Sequence, residues 1–351
     1  MSLRVTPELI EALPKAELHV HLDGSLRPDT MLELASAADK PLPADDAATL
    51  AQVMRADDSA DLVEYLRRFD WTLSVMQTPE AIERIAWELA VDLAGENVRY
   101  AEVRFSPALN THGGLSGDEV LEACMRGLQR ASEETGIVTG VLVCAIRSFE
   151  PAHSLAMAEL AVRWKGRGVV GFDLAGAEAG YPPKKHREAF DLVAAANLPV
   201  TIHAGEAYGP ESIHQALHVC GARRIGHGTR LEEDPDLLAY LTDFRVPLEI
   251  CLTSNVQTRV SSSFAAHPLR RYFDAGLVVT LNTDNRLVSG TTMSQEYILA
   301  HQHHGFTWDE LVEITRMGFR SAFLPHRERE ALLARVDGEI AHLEEQAQRA
   351  G

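Results

Sequence analysis

Cysteine is scarce and unpatterned in this chain of 351 residues: Cys124, Cys144, Cys220 and Cys251 lie far apart, and none forms a C-x-x-C pair. A disulfide framework is therefore excluded, and four separate thiols in a chain this long point to a reducing compartment. Long apolar runs are missing too. The opening "MSLRVTPELIEALPKAE" has none, and no later stretch reaches membrane-spanning length, so the expectation is a soluble, cytoplasmic protein without membrane contact. Positive charge is in deficit, with 33 basic against 51 acidic side chains and a formal net charge of -18. Such a surface repels nucleic-acid backbones and anionic membranes, and it disfavours a strongly anionic substrate unless the local field of a cleft overrides it. No glycine-rich phosphate loop of the G-x-G-x-x-G or G-x-x-x-x-G-K-S/T kind follows the early apolar runs, which removes the usual nucleotide-binding signature.

Short apolar runs recur with helical stretches between them. They are "KAELHVHL" (15–22), "VRYAEVRFSP" (98–107), "GIVTGVLVCAI" (136–146), "GVVGFDLAG" (168–176), "LPVTIHAGE" (198–206), "ARRIGHGTR" (222–230), "VPLEICLTSN" (246–255) and "LVVTLNTDN" (277–285). Eight strand-like segments separated by amphipathic ones predict an α/β fold, a parallel sheet covered by helices. The count favours a closed (β/α)8 TIM barrel over a doubly wound sheet. With 46% hydrophobic residues the chain can bury a large core. No internal repeat beyond this alternation and no low-complexity linker is present, so one domain over 1–351 is expected. Residues 23–96 are too many for one crossover helix and predict several helices over the C-terminal mouth of the barrel. Residues 327–351 predict an acidic terminal helix.

Polar residues that a core would not select stand at four strand ends: His19 and His21, His203 and Glu206, His227, and Asp284. His19 and His21, two apart on a strand, point to the same side. Singly, each has an ordinary structural explanation. A lone histidine after a strand is commonly a hydrogen-bonded core residue, "NTDN" suits a turn or helix cap, and Glu206 can open a helix. Together they gain weight, because the carboxyl ends of barrel strands meet at one mouth. Imidazoles and a carboxylate are the ligands zinc and its neighbours accept. With His19, His21, His203 and Asp284 on a metal, Glu206 is placed to move a proton and His227 to orient water, which is metal-assisted hydrolysis. The bond attacked does not follow from these residues.

The ordered series "PKAELHVHLDGSLRPDTMLELA", "GFDLAGAE", "HAGE", "RIGHGTRL", "CLTSNVQT" and "NTDNRLVSGTTMSQEY" resembles the adenosine deaminase family of metal-dependent amidohydrolases, in particular its bacterial adenosine-deaminating branch. The similarity spans most of the chain. The resemblance implies a (β/α)8 barrel with one zinc per subunit, held by His19, His21, His203 and Asp284. It implies that Asp284 also helps deprotonate the attacking water, that His227 bonds that water, and that Glu206 protonates purine N1. It further implies that the Gly176 amide meets N3 and that Asp23 accepts from the ribose 5'-hydroxyl. The substrate implied is adenosine or 2'-deoxyadenosine, giving the 6-oxo purine and ammonia. Relatives act instead on 6-amino-6-deoxyfutalosine, an adenine nucleoside extended at the 5' position in menaquinone synthesis, or on free adenine.

The family usually has two consecutive aspartates, the second meeting N7, where this chain has Asp284-Asn285. An asparagine amide donates at any pH, whereas an aspartate must first be protonated. Phe69, Trp71 and Met76 either wall the pocket or pack their helix onto the barrel. A binuclear hydrolase is disfavoured because the fourth run ends without a lysine, leaving Asp173 to brace the loop. The cytidine-deaminase zinc motif, H-x-E with P-C-x-x-C, is absent. The pattern implies no oligomeric state.

Overall fold

The structure, a computed structural model, describes residues 3–350. Eight strands follow in order: β1 (Lys15–His21), β2 (Val98–Phe105), β3 (Val138–Ile146), β4 (Val169–Ala175), β5 (Thr201–Ala204), β6 (Arg224–His227), β7 (Leu248–Ile250) and β8 (Val279–Leu281). They pair in sequence order as β1-β2-β3-β4 and β5-β6-β7-β8, every neighbour parallel. Two parallel bridges join these halves, Phe172 to Val200 on one side and Val20 to Asp284 on the other. The sheet therefore closes on itself, as a (β/α)8 barrel must and a doubly wound sheet does not.

Helices cover the outside because each connection must return to the same end of the sheet. Their starts are written locally. Pro79–Gly95 opens behind Thr78, whose hydroxyl accepts from the Ala81 amide. Gly117–Thr135 opens with a reciprocal Ser116–Glu119 capping box and ends at Gly136, so orphan amides at both starts find partners.

The strands of the second half are shorter than their apolar runs predict. The chain leaves the extended conformation early there: Gly205 has φ +71°, His227 φ +63° and Asp284 φ +60°. Two of these are side-chain-bearing residues in the left-handed region, a conformation that costs energy and recurs at functional sites.

The barrel interior departs from the usual branched-aliphatic filling. Arg104 lies between Asp173 and Glu249, and Arg224 lies between Glu249 and Glu102, all five buried. Asp173 and Glu249 lie against the strand-end histidines His203 and His19, whereas Arg224, the first residue of β6, and Glu102 extend the chain of charges toward the other end of the barrel.

Between β1 and β2 run five helices, Pro28–Ala38, Ala47–Met54, Leu62–Leu66, Phe69–Val75 and Pro79–Gly95. Leu62, Tyr65, Leu66, Phe69 and Leu73 from the third and fourth face the cavity at the mouth. Of the three apolar residues weighed from the sequence, only Phe69 is a wall residue; Met76 is fully buried in the core and Trp71 packs partly exposed against it. The chain closes with the helix His326–Ala350, which buries Leu332, Val336 and Ile340. Among the described residues no helix is long and apolar enough to cross a membrane.

Candidate active site

The mouth of the barrel holds a cavity of about 330 Å³. At its floor His19, His21, His203 and Asp284 each turn one ligand atom inward, all within 4.8 Å of one another. His21 Nε2 and His203 Nε2 stand 3.1 Å apart. Asp284 Oδ1 is 3.3 Å from His19 Nε2 and 3.3 Å from His21 Nε2. Tetrahedral zinc with Zn–N bonds near 2.0–2.1 Å requires ligand atoms about 3.3 Å apart, close to these three separations. His19 Nε2 is buried without a hydrogen-bond partner, a cost that a cation removes. Burial holds His21 and His203 below the ordinary imidazole range, in the neutral form a metal ligand needs. The donor set fits a single zinc-type ion.

The outward nitrogens of two ligands are held from behind. His19 Nδ1 meets Glu249 at 2.9 Å, and His203 Nδ1 meets Asp173 at 3.1 Å. Arg104 bridges these carboxylates, 2.8 Å from Glu249 and 3.1 Å from Asp173. Burial raises both carboxyls, but Glu249 is held well below the usual range by Arg104 and Arg224, and Asp173 by His203 and Arg104. Both remain anionic and fix the ring tautomers so that the Nε2 lone pairs face the cluster. Asp173 thus braces His203 itself rather than a loop, and it lies outside the donor cluster. Glu249 and Arg104 escaped notice in the sequence. The signal was present: a charge inside an apolar strand buried on both faces must have an ionic partner.

Glu206 follows β5 in "HAGE". Gly205 turns the chain there; a Cβ on it would lie 2.4 Å from Ile213 Cδ1 in a left-handed backbone. The turn is pinned by Glu178, whose carboxylate accepts from the amides of Gly205 (2.7 Å), Glu206 (3.0 Å) and Tyr208 (2.9 Å). Glu206 itself is buried, and its carboxyl is pushed well above the ordinary range by desolvation, then by the charges of Asp284 and Glu178. Its Oε2 is 3.6 Å from His227 Nε2.

The structure also brings Asp23, Gly176 and Asn285 to the cavity lining. Asp23 Oδ1 is buried and unpartnered, an acceptor awaiting a donor. Asn285 donates to the Tyr65 hydroxyl at 2.9 Å and packs so closely on Gly24 that a Cβ there would fall 1.8 Å from its Oδ1. Of the residues singled out at the strand ends, His21, His203, Glu206, His227 and Asp284 line this cavity, and His19 lies fully buried with its donor atom in the same cluster.

A barrel whose strand ends converge on a four-donor metal-ligand set, beside a buried glutamate, defines the class: a metal-dependent hydrolase of the amidohydrolase kind. The model of the family described as adenosine deaminase matches residues 14–339. An adenosine deaminase of Mycobacterium sp. strain JLS is 48% identical, with 95% of this chain and 96% of the relative covered. Among solved structures, the N6-methyl-AMP deaminase of Arabidopsis thaliana superposes with a TM-score of 0.84 at 30% identity, covering 95% of this chain and 98% of that one. An adenine deaminase from Arthrobacter aurescens gives 0.84 at 28%, covering 94% and 99%. The chain belongs to the adenosine deaminase family and is a hydrolytic deaminase.

Proposed function

We propose that the chain hydrolyses the 6-amino group of adenosine and 2'-deoxyadenosine, giving inosine or 2'-deoxyinosine and ammonia. The observation that carries this reading is a buried carboxyl, Glu206, in the same cavity as a four-donor metal cluster, where desolvation pushes its pKa upward. His19, His21, His203 and Asp284 would hold a zinc ion, which when bound would supply a water acidic enough to lose a proton near neutral pH. Asp284, kept anionic mainly by His19 and His21 against the effect of burial, takes that proton. Glu206 gives its own proton to purine N1, which makes C6 electrophilic. His227 holds the attacking oxygen over C6 through Nε2. The C6–O bond forms, Asp284 passes the proton it took to N6, the C6–N6 bond breaks as ammonia leaves, and the proton of the C6 hydroxyl returns to Glu206, leaving the 6-oxo purine. Gly176 offers its amide to N3 and Asp23 accepts from the ribose 5'-hydroxyl. Asn285, with one amide hydrogen engaged by Tyr65, has a second for N7.

The related structures act, by their names, on adenine and on a 5'-nucleotide. Three features support a neutral nucleoside here. The lining has no lysine or arginine and carries Asp23, Asp70 and Asp284 besides Glu206, so a 5'-phosphate would find no basic side chain to pair with. The unpartnered Asp23 oxygen suits a hydroxyl donor. The apolar wall of Leu62, Leu66, Phe69 and Leu73 suits the sugar side of a ligand larger than a free base. Ammonia release from adenosine, AMP, adenine and 6-amino-6-deoxyfutalosine, run side by side on zinc-loaded protein, tests the reading. Adenosine is expected to lead by about 100-fold in kcat/KM, roughly 2.7 kcal/mol of discrimination. A lead of that size for any of the others overturns it.

A further inference from the structure

His227 sits over the reacting position, and which of its nitrogens carries the hydrogen decides whether it donates or accepts there. We infer that a buried relay from the Leu269 amide through His267 and Asn255 fixes His227 as the Nε2–H tautomer, making His267 and Asn255 positioning residues.

The chain of donors is anchored on a group that cannot reverse. The Leu269 backbone N–H donates to His267 Nδ1 at 3.1 Å, so in the neutral ring the hydrogen lies on Nε2. That Nε2 is 3.1 Å from Asn255 Oδ1, which also accepts from the Thr229 hydroxyl at 3.0 Å. Asn255 Nδ2 then faces His227 Nδ1 at 3.0 Å and donates to it. His227 Nδ1 is thereby an acceptor, and its hydrogen is left on Nε2, the atom 3.6 Å from Glu206 Oε2. Reversing the Asn255 amide would force His267 to accept through Nε2 and carry its hydrogen on Nδ1, directly against the Leu269 N–H. Two donors would then meet in a buried place, which costs about 1–3 kcal/mol.

The remaining conditions agree. His267, Asn255 and His227 are all buried, and burial pushes His267 down to about 3, so the ring that starts the relay stays neutral. His227 ends β6, whereas Asn255 and His267 both lie in the connection between β7 and β8, so the relay joins one strand end to a neighbouring connection.

The inference rests on the proposed place of His227 in deamination, but its main readout does not require turnover. Two-bond 1H–15N correlation spectra of zinc-loaded, histidine-labelled protein separate a bare ring nitrogen from a protonated one, and a His227→Gln sample identifies the His227 signals by their loss. The expected wild-type result is bare Nδ1 and protonated Nε2. In Asn255→Asp, the carboxylate presented to Nδ1 is expected to draw the hydrogen across, with zinc stoichiometry unchanged and kcat down about 100-fold or more. His267→Phe is expected to lower kcat at nearly constant KM, and His267→Gln, which restores an N–H toward Asn255, to recover most of it. A wild-type His227 protonated on Nδ1 overturns the relay. So does an Asn255→Asp protein that keeps the Nε2 hydrogen and wild-type kcat. Should adenosine prove not to be the substrate, the wild-type spectrum still decides the tautomer.

Discussion

Single residues carry the chemistry, and at this scale the burial of Glu206 is the most consequential fact. Its carboxyl is held above the ordinary range by desolvation and by Asp284 and Glu178, so it keeps its proton at a pH where an exposed glutamate has lost it. Because the proposed transfer to N1 needs the protonated form, kcat/KM is expected to fall as pH rises through the elevated pKa. The pH–rate profile of the free enzyme measures this. Glu206→Gln is expected to retain one zinc per chain while losing at least about 100-fold in kcat; turnover near wild type would remove Glu206 from the proton transfer. Arg104 invites a different test. It neutralises the two carboxylates that orient His19 and His203. Arg104→Met should therefore weaken zinc binding about 10–100-fold and cost about 3–5 kcal/mol in unfolding free energy, measured by metal competition and urea denaturation. His19, His21, His203, Glu206, His227 and Asp284 were legible in the sequence because a polar residue ending an apolar strand is conspicuous. Arg104, Glu249 and Asn255 were not, since each acts through a neighbour supplied by another strand, and that neighbourhood is a property of the closed barrel.

Among the elements, the helices between β1 and β2 supply one wall of the cavity. Phe69 contributes an apolar face to the cavity without touching the metal donors. Phe69→Ala is expected to raise KM for adenosine about tenfold with kcat nearly constant, which is the mark of binding lost equally from ground and transition states. A fall in kcat alone would instead assign Phe69 to positioning. The helix Met293–His304 supplies a second element-scale test. Its Glu296 accepts from the hydroxyls of Thr253 and Thr291, so it ties this helix to Leu252–Gln257. Burial raises Glu296 to about 7 from 4.5. The folded chain thus holds this proton more tightly than the unfolded chain between those values. Its stabilising contribution is complete below about 4.5 and is lost as pH rises through 7. Glu296→Gln should flatten the decline in Tm between pH 5 and 8, as followed by thermal denaturation; an unchanged slope would place the linkage elsewhere. The sequence predicted all eight strands but overestimated β5 to β8. Apolar runs mark where a strand can lie, whereas left-handed turns at Gly205, His227 and Asp284 mark where the site needs the chain to stop being one.

For the whole molecule, closure of the barrel makes His19 and Asp284, 265 positions apart in the chain, neighbours at 3.3 Å. It does so over an interior of paired charges whose worth depends on every partner being present. A formal charge of -18 and a cation-free cavity lining both favour a neutral ligand over a phosphorylated one, so the preference for a nucleoside is built at two scales. The central claim is that this site deaminates adenosine with the metal held by His19, His21, His203 and Asp284. Its most direct test is ammonia release from adenosine by chelator-stripped protein titrated with zinc. Activity is expected to be absent at the start, to rise linearly and to level off at one zinc per chain. Full activity in the stripped protein, or no adenosine turnover at any zinc loading, would contradict it.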